Sequence, residues 1–320
     1  MVRTLQTLAD QLFEIGHTVE VIGPDRFWTL PCPTYPDIRL SLFIRRRLGR
    51  MIEAFAPDAL HIATEGPLGQ VTRSWALRRG CAFTTAFHTR FPEYVQARTG
   101  LPPRWLYAWL RRFHGAGQGM LVATASLRAE LAERGFRHIR PWSRGVDLDL
   151  FCPEPREDWK MPRPVFLYVG RVAVEKNISG FLDLDLPGSK VVVGAGPQLA
   201  RLRTKFPNVR FTGPLQGAPL ARAYAGADVF VFPSLTDTFG LVILEALACG
   251  TPVAAFPVTG PKDVLAEATG NVGSVDYDLR AAALRALQAD RAACRTHAER
   301  FSWRACAEAF LANLVPLGGH

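Results

Sequence analysis

The stretch "SLTDTFGLVILEALACGTPV" carries two carboxylates, Asp237 and Glu245, one ahead of and one inside an apolar segment that reads as a helix starting near Phe239 or Gly240 and ending before Gly250. Backbone N–H groups at such a start, those of Gly240 and Leu241 among them, have no intrahelical acceptor and favour a phosphate. Asp237 stands just before the helix and Glu245 about a turn and a half into it, so both project towards one small region. A carboxylate that accepts from two vicinal hydroxyls gains charged hydrogen bonds that offset its burial. The chemistry on offer is the holding of sugar hydroxyls beside a phosphate. The plainer alternative is an aspartate capping free N–H groups and a glutamate in a structural salt bridge.

Other candidates sit at similar positions. In "YVGRVAVEKNI" a strand ends, Gly170 allows a turn, and Arg171 and Lys176 emerge where an anion would lie. Arginine by its fork and lysine as a point charge suit a diphosphate, although two surface cations with one bonded to Glu175 would read the same way. "VVVGAGP" runs a strand into Gly194 and Gly196, where missing side chains let a ligand approach the backbone; it is not the Gly-x-Gly-x-x-Gly fingerprint. "TTAFHTRFPEYV" ends a strand at His88, and "TEGPLG" places Glu65 just after another. A lone histidine is more often structural than functional, and Glu65 could serve only the N-terminus of the next helix.

The elements that must position these groups alternate. Leu5, Leu8 and Leu12 recur at helical spacing and Gly16 stops them. "HTVEVIGP", "DALHIA", "CAFTTAFH" and "GMLVATA" then read as strands, and "RHIRPWSRGVD" as an irregular exit. After the Pro-rich, charged "FCPEPREDWKMPRP" the rhythm restarts with "VFLYVGR", "KVVVGAGP", "NVRFTGP", "ADVFVFPS" and "TPVAAFP". Strands alternating with helices predict an α/β protein with two doubly wound, Rossmann-like domains, 1–155 and 156–300, and a closing helix over 301–320. Ligands of such sheets bind at the carboxyl ends of the strands, so two of them facing each other would define a cleft.

The chain has 320 residues, 48% of them apolar and 21% charged, as expected of a globular protein of two domains. No apolar run is long enough to cross a bilayer and no signal-peptide pattern is present, so a cytoplasmic protein is expected. The six cysteines form no Cys-x-x-Cys pair and are read as small buried hydrophobes. The net charge of +9 is uneven, with 20 Arg, no Lys and 14 acids in residues 1–155. There "IRRRLGR" and "PPRWLYAWLRRFH" mix arginine with aromatic and aliphatic residues. Such segments suit anionic lipid headgroups, or else are solvated helix faces whose aromatics point to the core. Nucleic acid is not expected, since no nucleic-acid motif accompanies the charge.

Taken in order, "FHTRFPEYV", "GRVAVEKNI", "VVVGAGP", "VRFTGP" and "ADVFVFPSLTDTFGLVILEALACGTPVAA" resemble the retaining glycosyltransferases of family four, which have the GT-B fold. "SLRAEL", "RGVD" and "FPVTGPKDV" are similar to the bacterial branch of α-mannosyltransferases and relatives of sulfoquinovosyl-diacylglycerol synthases. The resemblance implies that Glu245 binds the ribose of a nucleotide and Asp237 the hydroxyls of the donor sugar, at a position where the family more often has glutamate. It implies that Arg171 and Lys176 hold the diphosphate, assisted by amides from Phe239 to Leu241, and that His88 faces the sugar near its anomeric carbon. The loops at Gly194–Gly196 and Phe211–Gly213 would line the nucleotide pocket, with Gly170 in the adjoining turn. No metal or other cofactor is expected.

The expected function is transfer of a hexose from GDP-mannose or a UDP-hexose to a lipid or lipid-linked glycan, as in glycolipid biosynthesis, with the enzyme in the cytoplasm or peripheral on the inner face of the membrane. A sugar-nucleotide epimerase and an inactive nucleotide-sugar-binding module are the alternatives. Family members begin with a strand and a glycine-containing loop ahead of the helix that here starts at "VRTLQTLADQL", and the expectation is a start site placed too late.

Overall fold

The computed structural model describes residues 2–32, 35–88, 90–100, 102–155, 159–235 and 239–318. The chain forms two compact units, Met1–Ser143 with Arg304–His320, and Arg144–Trp303.

In the first unit, β1 (Trp28–Cys32) and β2 (Tyr35–Leu42) form an antiparallel hairpin. β3 (His61–Ile62), β4 (Thr84–Phe87), β5 (Gly119–Val122) and β6 (Ile139–Pro141) form a parallel sheet in sequence order. β4 and β5 are buried along their whole length, as strands covered on both faces by crossover helices must be. The expected strand "HTVEVIGP" is absent: residues 17–23 are irregular, and Val21 is exposed. Its apolar alternation was real, but a strand also needs a ladder partner for its backbone groups. The hairpin and β6 were not foreseen as strands. β6 is an edge strand of three residues that ends on Pro141, whose missing N–H an edge tolerates.

The last helix, Trp303–Asn313, falls within the expected closing segment 301–320 and belongs largely to the first unit. The buried Trp142 Nε1 donates to the Cys306 carbonyl at 3.1 Å, and Arg140 Nη1 to that of Asn313 at 2.7 Å. Beyond the helix, the Leu317 N–H donates to the Asp58 carbonyl at 2.7 Å. Unit 2 begins at Arg144, not at 156, because Arg295 Nη1 donates to the carbonyls of Leu148 and Phe151 and so ties that segment to the second unit.

The second unit holds β7 (Val165–Val169), β8 (Ser189–Val193), β9 (Arg210–Gly213), β10 (Val229–Phe232), β11 (Val253–Ala255) and β12 (Gly273–Val275), all parallel, in the order 12-11-10-7-8-9. This is the doubly wound order, with its reversal between the central strands β7 and β10. The runs "VFLYV" and "VFVF" are wholly buried, and Phe166, Val192, Val229 and Val231 lie in one core cluster with Ile178 and Phe181. Two Rossmann-like units are thus the observed α/β architecture. Of the six cysteines, Cys81, Cys249, Cys294 and Cys306 are buried as expected, whereas Cys32 and Cys152 are half-exposed. Burial pushes the Cys294 thiol up to about 12, which keeps it protonated and inert.

A charged cluster fixes the segment after β4. Arg90 Nη1 and Nη2 donate to the two carboxylate oxygens of Glu130 at 3.0 and 2.5 Å, Arg134 also reaches Glu130, and the Tyr107 hydroxyl donates to Glu93. Burial alone would raise the Glu130 pKa, but the hydrogen bonds and charge of Arg90, then of Arg134, bring it below its usual 4.5. Replacing Arg90 with alanine is expected to destabilise the protein by about 1–2 kcal/mol, kept low by the partial exposure of the carboxylate. A carboxyl whose folded pKa is depressed stabilises above its unfolded value and loses that contribution as pH falls through the folded one. The gap in urea midpoint between the parent and Glu130→Gln should therefore close on acidification below pH 4.5; a gap unchanged by acid would refute the pairing.

Candidate functional site

The second unit brings most of the sequence candidates to one edge, the carboxyl ends of β7 and β10. After β7 the chain turns at Gly170, exposes Arg171, and makes a short 3-10 turn, Val174–Lys176, that leaves Lys176 half-buried. Two neighbours fix this loop. The hydroxyl of buried Tyr168 donates to the Arg171 carbonyl at 2.9 Å, and Asn177 Nδ2 donates to the carbonyl of Pro233, just beyond β10, at 3.1 Å. The second bond ties the cation-bearing loop to the segment that leads to the helix Leu241–Ala248.

That helix starts at Gly240, whose φ of 82° lies in the left-handed region that glycine adopts without strain. A Cβ there would also meet Ile243 Cδ1 at 2.9 Å. Gly240 brings no side chain of its own to cap the helix. Phe239 is buried, with its ring edge-on to Phe301. Leu241 and Glu245 are half-buried. Asp237 lies outside the described residues.

Glu245 has a partner that sequence reasoning missed. The hydroxyl of fully buried Tyr224 donates to Glu245 Oε2 at 3.0 Å. Tyr224 lies on the helix Gly217–Gly226 and packs edge-on against Phe230 of β10 and Phe151. The carboxylate is thus oriented from beneath by a rigid phenol, and its lone pairs can accept more than one donor. Tyr224→Phe is expected to leave the fold intact and weaken nucleotide binding about fivefold, the loss of one hydrogen bond of about 1 kcal/mol, read by isothermal titration. An unchanged affinity would mean the phenol only fills space. A tyrosine in an otherwise apolar helix "GAPLARAYAG" was the available signal, since a buried hydroxyl needs an acceptor.

Gly194 and Gly196 have a local reason to be glycine. A Cβ at Gly194 would sit 1.9 Å from the Gly170 carbonyl oxygen, and one at Gly196 2.3 Å from that of Val172. The loops after β7 and β8 are laced together, with the Val172 N–H donating to the Ala195 carbonyl at 2.9 Å and the Gln198 N–H to the Val172 carbonyl at 3.0 Å, and the Gly194 N–H donates to the carbonyl of Gly213 at the end of β9 at 2.9 Å. Their absent side chains serve this close approach of backbones, so the glycines by themselves imply no ligand.

The first unit carries the other two candidates. His88 follows β4, half-buried, with its ring 5.9 Å from and edge-on to Trp142. Glu65 follows β3, and its Oε1 lies 3.1 Å from Nε2 of the buried His114, whose Nδ1 lies 2.9 Å from the Thr85 hydroxyl. Glu65 therefore has a side-chain partner in the core and does not simply serve the helix that follows it.

Comparison with known proteins gives the family. Residues 163–290 match the family described as glycosyl transferases group 1, and residues 1–150 match glycosyltransferase family 4. A GDP-mannose-dependent alpha-mannosyltransferase of Mycolicibacterium smegmatis is 33% identical over 83% of this chain and 78% of its own length. The chain belongs to glycosyltransferase family 4. A sulfoquinovosyl transferase of Arabidopsis thaliana is 30% identical over 95% of this family-4 chain, which spans 66% of that relative's length. Among solved structures, sucrose-phosphate synthase from Thermosynechococcus elongatus is similar in fold, with a TM-score of 0.69 at 23% identity, over 96% of this chain and 91% of the other. The resemblance drawn from the motifs is therefore to the right family, and the fold class to the right one.

Proposed function

We propose that the protein moves a hexose from a nucleotide-sugar, GDP-mannose or a UDP-hexose, to a lipid or lipid-linked glycan with retention of configuration and without a metal. The observation that carries the reading is the Glu245 carboxylate, bonded by Tyr224, on the helix that follows β10, while the segment just after β10 is bonded to the loop of Arg171 and Lys176 at the switch point of the sheet. Glu245 takes the two ribose hydroxyls, Arg171 and Lys176 take the diphosphate, and the amides of Gly240 and Leu241 assist them. Asp237 is assigned to the donor-sugar hydroxyls, and His88 to the sugar near its reacting carbon. The bond from the anomeric carbon to the diphosphate oxygen breaks, the acceptor oxygen bonds to that carbon on the same face, and the acceptor's proton passes to the leaving diphosphate. The cations neutralise the charge that builds on the leaving group, the part a metal would otherwise play.

GDP-mannose is the first donor to try, because the relative from Mycolicibacterium smegmatis is named for it. The basic, aromatic first half of the chain and the analogy with relatives support a lipid acceptor, and with it a cytoplasmic reaction at the inner membrane face. The test is thermal unfolding of the full chain with GDP, UDP and ADP, followed by transfer from the matching labelled sugar nucleotide to a lipid extract. A midpoint raised by GDP or UDP and an α-linked lipid product are expected. A folded protein that no nucleotide stabilises, or one that returns an epimerised sugar nucleotide with no transfer, would overturn the proposal.

A further inference from the structure

The helix that carries Glu245 ends at Cys249, whose N–H donates to the Glu245 carbonyl at 3.2 Å and whose side chain is fully buried. Cys152, in the segment that enters the second unit, is half-exposed. One guanidinium brings the two together. Arg295 Nη1 donates to the carbonyl of Phe151 at 2.9 Å and to that of Ala248 at 3.4 Å. These carbonyls belong to the peptide units that lead directly into Cys152 and Cys249, so the two cysteines branch from neighbouring stretches of backbone. The electrostatics agree. Burial pushes the Cys249 thiol up, and Cys152, then Glu245 and Glu154, add to the shift while Arg295 opposes it.

The other buried thiols have main-chain neighbours. Cys81 Sγ lies 3.9 Å from the Arg79 carbonyl, Cys294 Sγ 3.6 Å from that of Val272, and Cys306 Sγ 3.4 Å from that of Ser143. Cys249 differs in having close by a second thiol, one that solvent reaches. A disulfide holds Cα atoms about 4.4–6.8 Å apart, a separation open to two chains that share one donor nitrogen. Cys152 lies in irregular backbone ahead of the exposed Pro153, Glu154 and Pro155, so this side can settle onto the fixed end of the helix.

We infer that Cys152 and Cys249 are a modification site, a thiol pair that a peroxide converts into a reversible disulfide. The Cys152 thiolate attacks one peroxide oxygen, the O–O bond breaks, and Cys152 becomes a sulfenic acid as the other oxygen leaves as hydroxide. The Cys249 sulfur then bonds to the Cys152 sulfur, and the sulfenic hydroxyl leaves with the Cys249 proton as water. The pair is oxidised by two electrons and the peroxide is reduced. Cys249 needs no access to solvent, because Cys152 delivers the oxidation to it. In a reducing compartment such a bond is transient and acts as a sensor. Its effect on the site rests on the proposed role of Glu245. Phe151 packs edge-on against Tyr224, whose hydroxyl orients the Glu245 carboxylate, and Cys249 stands one turn beyond Glu245. Drawing the two sulfurs together shifts both supports of that carboxylate and weakens nucleotide binding.

The test is peptide mapping by mass spectrometry, without reduction, of the full folded chain after hydrogen peroxide. A linked Cys152–Cys249 peptide that dithiothreitol removes is expected. Cys152→Ser should leave Cys249 unoxidised, and Cys249→Ala should hold Cys152 as a sulfenic acid that dimedone captures. If the core variant folds poorly the first still decides, since it alters only a half-exposed side chain. Titration with GDP or UDP, whichever raises the parent's unfolding midpoint, should show affinity lowered about fivefold in the oxidised parent, the worth of one displaced hydrogen bond, and unchanged in peroxide-treated Cys152→Ser. A parent in which Cys152 is oxidised alone, or is linked to another cysteine or to a second copy of the chain, would overturn the disulfide. A linked protein that binds nucleotide as the reduced one does would overturn its control of the site. A reduced parent that binds no nucleotide would count against the transfer reading instead, and the peptide map would still decide the disulfide.

Discussion

Glu245→Ala is expected to weaken nucleotide binding about five- to 150-fold, the equivalent of about 1–3 kcal/mol for a charged acceptor removed from two hydroxyl donors. The geometry favours the upper part of that range. Tyr224 holds the carboxylate in one orientation, so little entropy is spent in presenting it to a ligand. Removal of the carboxylate also leaves the buried Tyr224 hydroxyl without this acceptor, which destabilises the protein before any ligand is added. The two effects can be separated. Glu245→Gln keeps an oxygen for the phenol while losing the charge, and should show intermediate binding with nearly parental stability. The ribose assignment adds a sharper requirement: a 2′,3′-dideoxy nucleotide should bind the parent weakly and should bind Glu245→Ala no worse than the parent does. Titration calorimetry with both nucleotides reads this directly. A dideoxy nucleotide that still lost affinity in the variant would take the ribose role from Glu245.

How far the sequence could be read follows from which interactions are local. β7, β8, β10 and β11 announce themselves because strands buried on both faces are continuous apolar runs, and the glycines after β7 and β8 mark where those runs turn. The helix at Glu245 was legible for the same reason, since Gly250 ends it and Gly240 begins it. What could not be read depends on partners distant in sequence. Residues 17–23 have the apolar spacing of a strand but gain no ladder in the structure, whereas the hairpin Trp28–Leu42 interrupts its spacing with prolines yet pairs with itself. The boundary at Ser143 is set by Arg295 reaching back to Leu148, which no local pattern reveals. The site follows the same division. The residues that would touch a ligand were legible as charges just after a strand or inside an apolar helix, while Tyr168, Asn177 and Tyr224, which position them, look like ordinary packing residues until their hydrogen bonds are seen.

Arg171→Ala should lower turnover about 100- to 1,000-fold, comparable to the loss of one preorganised donor to a developing anion, which costs about 2.7–4 kcal/mol. The size of the effect follows from when the charge is needed. A bound nucleotide-sugar already carries a diphosphate, but as the glycosyl bond breaks the leaving oxygen gains a further charge, and only a cation fixed in advance stabilises that change without reorganising. The loop is built for such fixing: the Tyr168 hydroxyl pins the Arg171 carbonyl, the Val172 N–H is tied to Ala195, and Asn177 anchors the far end to Pro233. The arginine side chain, though exposed, therefore swings from a rigid root. Arg171→Lys should recover part of the loss, since a point charge survives without the two-pronged geometry, and Lys176→Ala should act in the same direction. The discriminating comparison is between ligands. Affinity for the nucleoside diphosphate should fall in Arg171→Ala while affinity for the nucleoside, which lacks the phosphates, stays at the parental value. If the nucleoside weakened equally, Arg171 would be supporting the shape of the loop and the leaving group would have to be held by other residues.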